Sequence, residues 1–136
     1  MTGVQTCALP ILAPFTTLTG VIQKTRDAFL YDTPKSVQDL YTAKDYGRYA
    51  LPGTKELPVD ILYNTDTTGG NSGSPVMNAK GELVAINFDR AWGATINDFA
   101  WNEAYSRSIG VDIRYVLWVT EKVGKAHFLL KEMGIQ

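Results

Sequence analysis

A single serine set among glycines, in Thr68-Gly69-Gly70-Asn71-Ser72-Gly73-Ser74-Pro75, is the segment of this chain best suited to chemistry. Gly70, Gly73 and Ser74 carry little or no side-chain bulk, so the backbone can fold tightly around Ser72. A carbonyl could then approach both the hydroxyl and the neighbouring amides. Acyl transfer needs that combination of a nucleophilic oxygen and N–H donors for the oxyanion. The donors expected in such a loop are the amides of Gly70 and Ser72, which flank the point of attack. The competing reading is a plain turn without chemistry, since Gly, Ser and Asn are ordinary loop residues.

The elements that must position Ser72 follow from the flanking pattern. Residues 59–64 read as a strand entering the loop. After it, Pro75-Val76-Met77, the turn Asn78-Ala79-Lys80-Gly81 and a strand over residues 83–89 read as a β-hairpin, with Gly81 at the left-handed turn position. Residues 107–111 read as a further strand, and residues 15–23 and 29–31 as strand-like from their β-branched and aromatic content. Thr33 as cap and Pro34 at the first helical position open a helix over residues 34–43, with Val37, Leu40 and Tyr41 on one face. Residues 45–58 read as loop. Asp112 caps a helix over residues 113–123 that Gly124 ends, and a last short helix runs over about residues 125–133. The expectation is a mostly β fold, a β-barrel with terminal helices.

Composition bounds the function. A chain of 136 residues, 45% hydrophobic and 20% charged, fits one globular domain with its own core. Its net charge of -1 sets up no field that would favour nucleic acid or an anionic membrane, and no apolar stretch has transmembrane length. One histidine and one cysteine make no typical zinc cluster, so neither metal nor cofactor is expected. Trp92, Phe99, Trp101 and Tyr105 read as barrel or loop packing, with the lining of a substrate cleft as the alternative; without a basic stripe they are not a base-stacking platform.

The serine loop running into a hairpin resembles the surroundings of the nucleophile in chymotrypsin-like serine proteases. Further stretches narrow the resemblance: Pro14-Phe15-Thr16-Thr17-Leu18, Lys44-Asp45-Tyr46-Gly47-Arg48-Tyr49-Ala50, Asn87-Phe88-Asp89-Arg90 and Val111-Asp112-Ile113-Arg114-Tyr115-Val116-Leu117. With them the chain is similar to the C-terminal part of the S46 dipeptidyl-peptidases of the Gram-negative periplasm, over nearly everything from Leu12 onward. The resemblance implies the C-terminal barrel of a chymotrypsin-like double-barrel protease, with Ser72 as nucleophile and Gly70 as an oxyanion donor. Asn71 stands where trypsin-like enzymes carry Asp, as the S46 pattern does. Asp89 is implied to bind the free α-amino group of a peptide, a charge-assisted contact that would place cleavage two residues from the terminus. Arg90 stands where members accepting Asp or Glu carry arginine and members cutting after hydrophobic residues carry glycine. It implies release of dipeptides ending in Asp or Glu. The partners implied are peptides with a free N-terminus, the location is periplasmic, and a homodimer of the full-length protein is left open. Against this stand a solvated Asp89-Arg90 pair at a strand end, a hydrophobic pocket, or a non-catalytic, protease-like binding module.

His127 is the only histidine, and it follows the serine. Chymotrypsin-like enzymes place the base and its carboxylate before the serine, and an α/β-hydrolase needs G-x-S-x-G, whereas Ser74 occupies the last glycine position here. His127 is therefore expected on a helix surface, with the base and its aspartate upstream of this chain. The chain alone is expected to be inactive. Residues 1–11, which contain Cys7, resemble an in-frame translation of a sequencing-library adapter. They lack the basic start of a secretory signal, and Pro10 interrupts the apolar run. Native sequence is expected from Leu12 onward, with the gene extending further upstream, so that this chain is a fragment.

Overall fold

The computed structural model describes residues 14–25 and 30–135, so the adapter-like residues 1–11 and Phe29 lie outside the described residues. The elements are β1 (Phe15–Thr17), α1 (Leu18–Lys24), α2 (Lys35–Thr42), β2 (Pro58–Tyr63), β3 (Pro75–Met77), β4 (Leu83–Arg90), β5 (Ser108–Asp112), α3 (Ile113–Trp118) and α4 (His127–Glu132). Tight 3₁₀ turns at Gly47–Tyr49 and Trp92–Asp98 and a π-helical turn at Val119–Val123 complete them. The chain forms two compact units, Met1–Phe15 with Asp60–Val111, and Thr16–Val59 with Asp112–Gln136.

The five strands form one sheet, in the order β1-β2-β5-β4-β3, with β3, β4 and most of β2 and β5 in the first unit. β2 and β5 pair antiparallel with Ile61 opposite Gly110 and Tyr63 opposite Ser108. β3 and β4 form the expected hairpin, with Val76 opposite Ala85 and a bulge between Val76 and Met77. Its turn is closed by Asn78, whose side-chain oxygen accepts the amides of Lys80 at 2.9 Å and Glu82 at 3.1 Å. The sheet is open, and the closed barrel expected from the sequence is not formed. Barrel closure needs strands long and tilted enough to pair edge to edge. Here both edge strands, β1 and β3, have 3 residues each, and the bulge interrupts β3.

The interior of this unit is small and polar. Ala85, Ala91 and Ala94 are buried together with Asn87, Asn97, Ser106 and Ser108. In the 3₁₀ turn the period is three, so Ala91, Ala94 and Asn97 share the inward face. Trp92 falls off that face and is 89% exposed, and Phe99 beyond the turn is 91% exposed. The packing role expected for these two aromatics is therefore not filled by the described residues.

In the second unit, residues 18–23 were expected to extend a strand from Phe15, but the strand stops at Thr17 and α1 begins. Leu18, Val21 and Ile22 recur at helical spacing, and all three belong to one apolar cluster with Val37, Tyr46, Tyr49, Leu57, Val59 and Trp118. That burial outweighs the β preference of Thr19, Val21 and Ile22. The amide of Leu18 donates to the Leu57 carbonyl at 2.9 Å, which fixes the helix start. The indole of Trp118 is fully buried and donates to the Asp45 carbonyl at 2.9 Å. Pro34, not Thr33, occupies the cap of α2, without a side-chain bond; the Thr33 hydroxyl is shared with that of Thr25 at 2.7 Å. Asp112 caps α3 as expected, its carboxylate accepting the Arg114 amide at 2.9 Å and the Arg114 guanidinium at 2.9 and 2.6 Å. The helix widens into the π turn and closes where the Gly124 amide meets the Val119 carbonyl at 2.8 Å. His127 begins α4 and is exposed.

Gly110 is the most closely approached of the described glycines. A Cβ there would lie 3.0 Å from the Ala85 Cβ, 3.1 Å from the Ile86 carbonyl oxygen and 3.3 Å from the Tyr63 ring. Gly110→Ala is expected to destabilise the fold by about 1–3 kcal/mol through overpacking. Urea unfolding of the variant against the parent chain measures it, and an unchanged midpoint would contradict the close approach.

Candidate active site

The loop between β2 and β3 is held by one side chain of β4. Asn87 is buried at an inward position of β4 between the apolar Ile86 and Phe88, so its amide must find partners. Its Nδ2 donates to the Asn71 carbonyl at 3.1 Å, and its Oδ1 accepts the Tyr63 hydroxyl. Its backbone adds two bonds: the Gly73 amide donates to its carbonyl at 2.8 Å, and its own amide donates to the Ser74 carbonyl at 2.9 Å. Burial pushes the Tyr63 hydroxyl above its ordinary pKa of 10.0, so it stays a proton donor at neutral pH.

Asn71 shapes the loop from within. Its Oδ1 accepts the Thr68 amide at 2.8 Å and its carbonyl accepts the Ser74 amide at 3.0 Å. Gly70 and Gly73 lie at φ +95 and +89, a region that side chains with a Cβ rarely enter, so glycine is required at both. This winding leaves Ser72 exposed, and its hydroxyl donates to the Phe88 carbonyl at 3.2 Å. Among the described residues the amides of Gly70 and Ser72 donate to no other group. An exposed serine hydroxyl thus sits in a hydrogen-bonded loop beside two uncommitted N–H groups, residue types that acyl-transfer chemistry uses.

The Phe88 carbonyl places Ser72 against the end of β4, where Asp89 and Arg90 follow. Asp89 is exposed, and its carboxylate accepts the Arg90 amide at 2.8 Å. Arg90 turns away from it. Its Nη1 and Nη2 donate to Asp98 at 3.0 and 2.7 Å, and Nη1 also donates to the Thr67 carbonyl at 3.2 Å. The serine loop is therefore tied to β4 at both ends, by Arg90 at Thr67 and by Asn87 at Asn71 to Ser74. The sequence brought forward Ser72, Gly70, Asp89 and Arg90, and the fold gathers all four around this loop. Asn87 and Asp98 were not singled out as site residues. A polar side chain in the inward register of β4 was the available signal for Asn87; Asp98, in a turn eight residues beyond Arg90, has none. The hollow lined by Arg48, Glu121, His127 and Leu130 belongs to the second unit and holds none of these residues.

A family model described as Peptidase S46 matches residues 5–135. The chain belongs to the peptidase S46 family. Among S46 relatives it is 49% identical over 121 residues to the Asp/Glu-specific dipeptidyl-peptidase of Porphyromonas gingivalis, covering 88% of this chain and 17% of the relative. It is 44% identical over 124 residues to dipeptidyl-peptidase 7 of Phocaeicola vulgatus, covering 89% of this chain and 17% of the relative. The crystal structure of Porphyromonas endodontalis DPP11 in complex with the dipeptide Arg-Asp superposes with a TM-score of 0.88 at 41% identity, over 97% of this chain and 19% of that one. This S46 chain thus spans about a fifth of the length of the proteins it matches.

Two measurements check the geometry. Asn87→Leu keeps the branched shape but leaves the Tyr63 hydroxyl and the Asn71 carbonyl without their partner, and is expected to cost about 1–3 kcal/mol in unfolding free energy. The Asp98 carboxyl is held below its ordinary value of 3.8 by the Arg90 fork and then by the Thr68 hydroxyl. Because the folded value lies below the unfolded one, the pair is intact above the ordinary carboxylate range and is released as the pH falls through the folded value. A carboxyl-carbon NMR titration should give Asp98 a midpoint below 3.8, moving up in Arg90→Gly.

Proposed function

We propose that this chain is the nucleophile-bearing, C-terminal part of a periplasmic serine dipeptidyl-peptidase that releases dipeptides ending in Asp or Glu. The observation that carries the reading is Ser72, exposed on a loop with two unclaimed amides and adjoining the strand end that bears Asp89 and Arg90. In this reading Ser72 Oγ attacks the carbonyl of the second substrate residue while the Gly70 and Ser72 amides receive the oxyanion. Asp89 takes the substrate ammonium, which counts two residues from the terminus. Arg90 takes the acidic side chain of the second residue as a bidentate pair.

Overall likeness does not separate the specificities, since an Asp/Glu-specific relative and a dipeptidyl-peptidase 7 match at 49% and 44%. The Arg90 side chain favours the acidic one, and the dipeptide in the Porphyromonas endodontalis structure ends in Asp. The general base and its aspartate are assigned to chain outside these residues, in a chymotrypsin-like arrangement. With the Ser72 proton directed to a carbonyl, which cannot accept it in catalysis, the hydroxyl is not activated here.

Two assays test the reading. The 136-residue chain alone is expected to show no turnover of dipeptidyl substrates; turnover abolished by Ser72→Ala would place a base inside it. In the full-length peptidase, Ser72→Ala should remove activity by about 10⁴-fold or more. Arg90→Gly should abolish the preference for Asp and Glu over Leu at the second position. A full-length enzyme that binds such peptides without cleaving them would make the chain a binding module.

A further inference from the structure

The Arg90 guanidinium carries five N–H groups, and the structure uses three of them. Asp98 takes one from Nη1 at 3.0 Å and one from Nη2 at 2.7 Å, and the Thr67 carbonyl takes the second from Nη1 at 3.2 Å. The two that remain, on Nε and the outer side of Nη2, point the same way along one edge. That edge has the spacing of a carboxylate, so the guanidinium can hold a second carboxylate in a fork without releasing the first.

Asp98 is itself fixed. The Thr68 hydroxyl donates to its Oδ1 at 3.1 Å. Its neighbour Asn97 is buried and accepts the Ser106 hydroxyl at 2.6 Å, while the Ser106 oxygen accepts the Asn102 amide at 3.0 Å. The turn carrying Asp98 is thus pinned from inside, and the long arginine side chain is only 20% exposed in the resulting pair. We infer that Asp98 is a positioning residue for substrate specificity: it clamps one edge of the Arg90 guanidinium so that the Nε–Nη2 edge meets the acidic side chain of the substrate. The inference rests on the reading of Arg90 as the acid-recognising residue.

Asp98 also places a negative charge near the incoming carboxylate. Its side chain is 44% exposed, so water and salt screen that repulsion, whereas orientation lost from a long flexible side chain is not recovered by solvent. Positioning is therefore the larger effect, and the sign of the mutational change decides between the two.

The test compares substrates ending in Glu and in Gln, which have nearly the same shape and differ in charge, with the full-length peptidase and its Asp98→Asn and Arg90→Gly variants. Asp98→Asn should lower the Glu-to-Gln ratio of kcat/KM by about ten- to a hundredfold, chiefly through KM for Glu. Arg90→Gly should lower it at least as far. An equal loss on both substrates would mark a merely structural role and overturn the inference. A raised ratio would make Asp98 a competitor of the substrate and also overturn it. If Arg90→Gly leaves the ratio intact, the pocket reading itself fails; if only Asp98→Asn leaves it intact, the Asp98 inference fails alone.

Discussion

A buried amide in a strand must be satisfied, and in this chain that requirement shapes the site. Asn87 sits in the inward register of β4, between apolar neighbours, and its hydrogen bonds run to Tyr63 on β2 and to Asn71 in the serine loop. Its backbone completes the bracket at Gly73 and Ser74. A loop rich in glycine has many conformations to lose, and a network this dense selects one of them. The exposure of Ser72 and the freedom of the flanking amides follow from that selection, so a residue that touches no reacting atom sets the geometry of those that would.

The rest of the first unit is organised around closeness more than bulk. Gly110 and Ala85 let the backbones of β5 and β4 approach, and alanines, serines and asparagines fill the interior. Such a core gains little from apolar area and relies on its hydrogen bonds, although the buried Asn97 Nδ2 has no partner among the described residues. The second unit is built the other way, on a cluster with two tyrosines and a fully buried tryptophan.

Local chemistry made part of this legible in the sequence. The hairpin, its turn at Asn78 and Gly81, the Asp112 cap and the helix carrying Val37 all depend on residues close in the chain, and they were read correctly. The helix α1 was missed because Thr19, Val21 and Ile22 favour strands in isolation; only the cluster around Leu18, assembled from distant segments, turns them helical. The closed barrel was expected from short strands followed by terminal helices, whereas strand length and the bulge in β3 leave the sheet open. At the candidate site, the loop pointed to Ser72 and Gly70, and the family resemblance pointed to Asp89 and Arg90, as the residues to test. Asp98 was hidden because a side-chain partner brought in by a turn leaves no periodicity behind.

The tryptophans carry a practical consequence. Trp118 is fully enclosed with its indole N–H bonded, whereas Trp92 is 89% exposed. An indole in water emits to the red of one in an apolar core and is open to a soluble quencher such as iodide. Trp118 and Trp92 therefore give separable optical signals, with the half-buried Trp101 of the first unit contributing a third. In a Trp101→Phe background, emission resolved by iodide quenching would register the loosening of the Trp118 cluster separately from events at the turn beside Asp98. A blue shift confined to the quenchable fraction would then time the arrival of whatever covers Trp92.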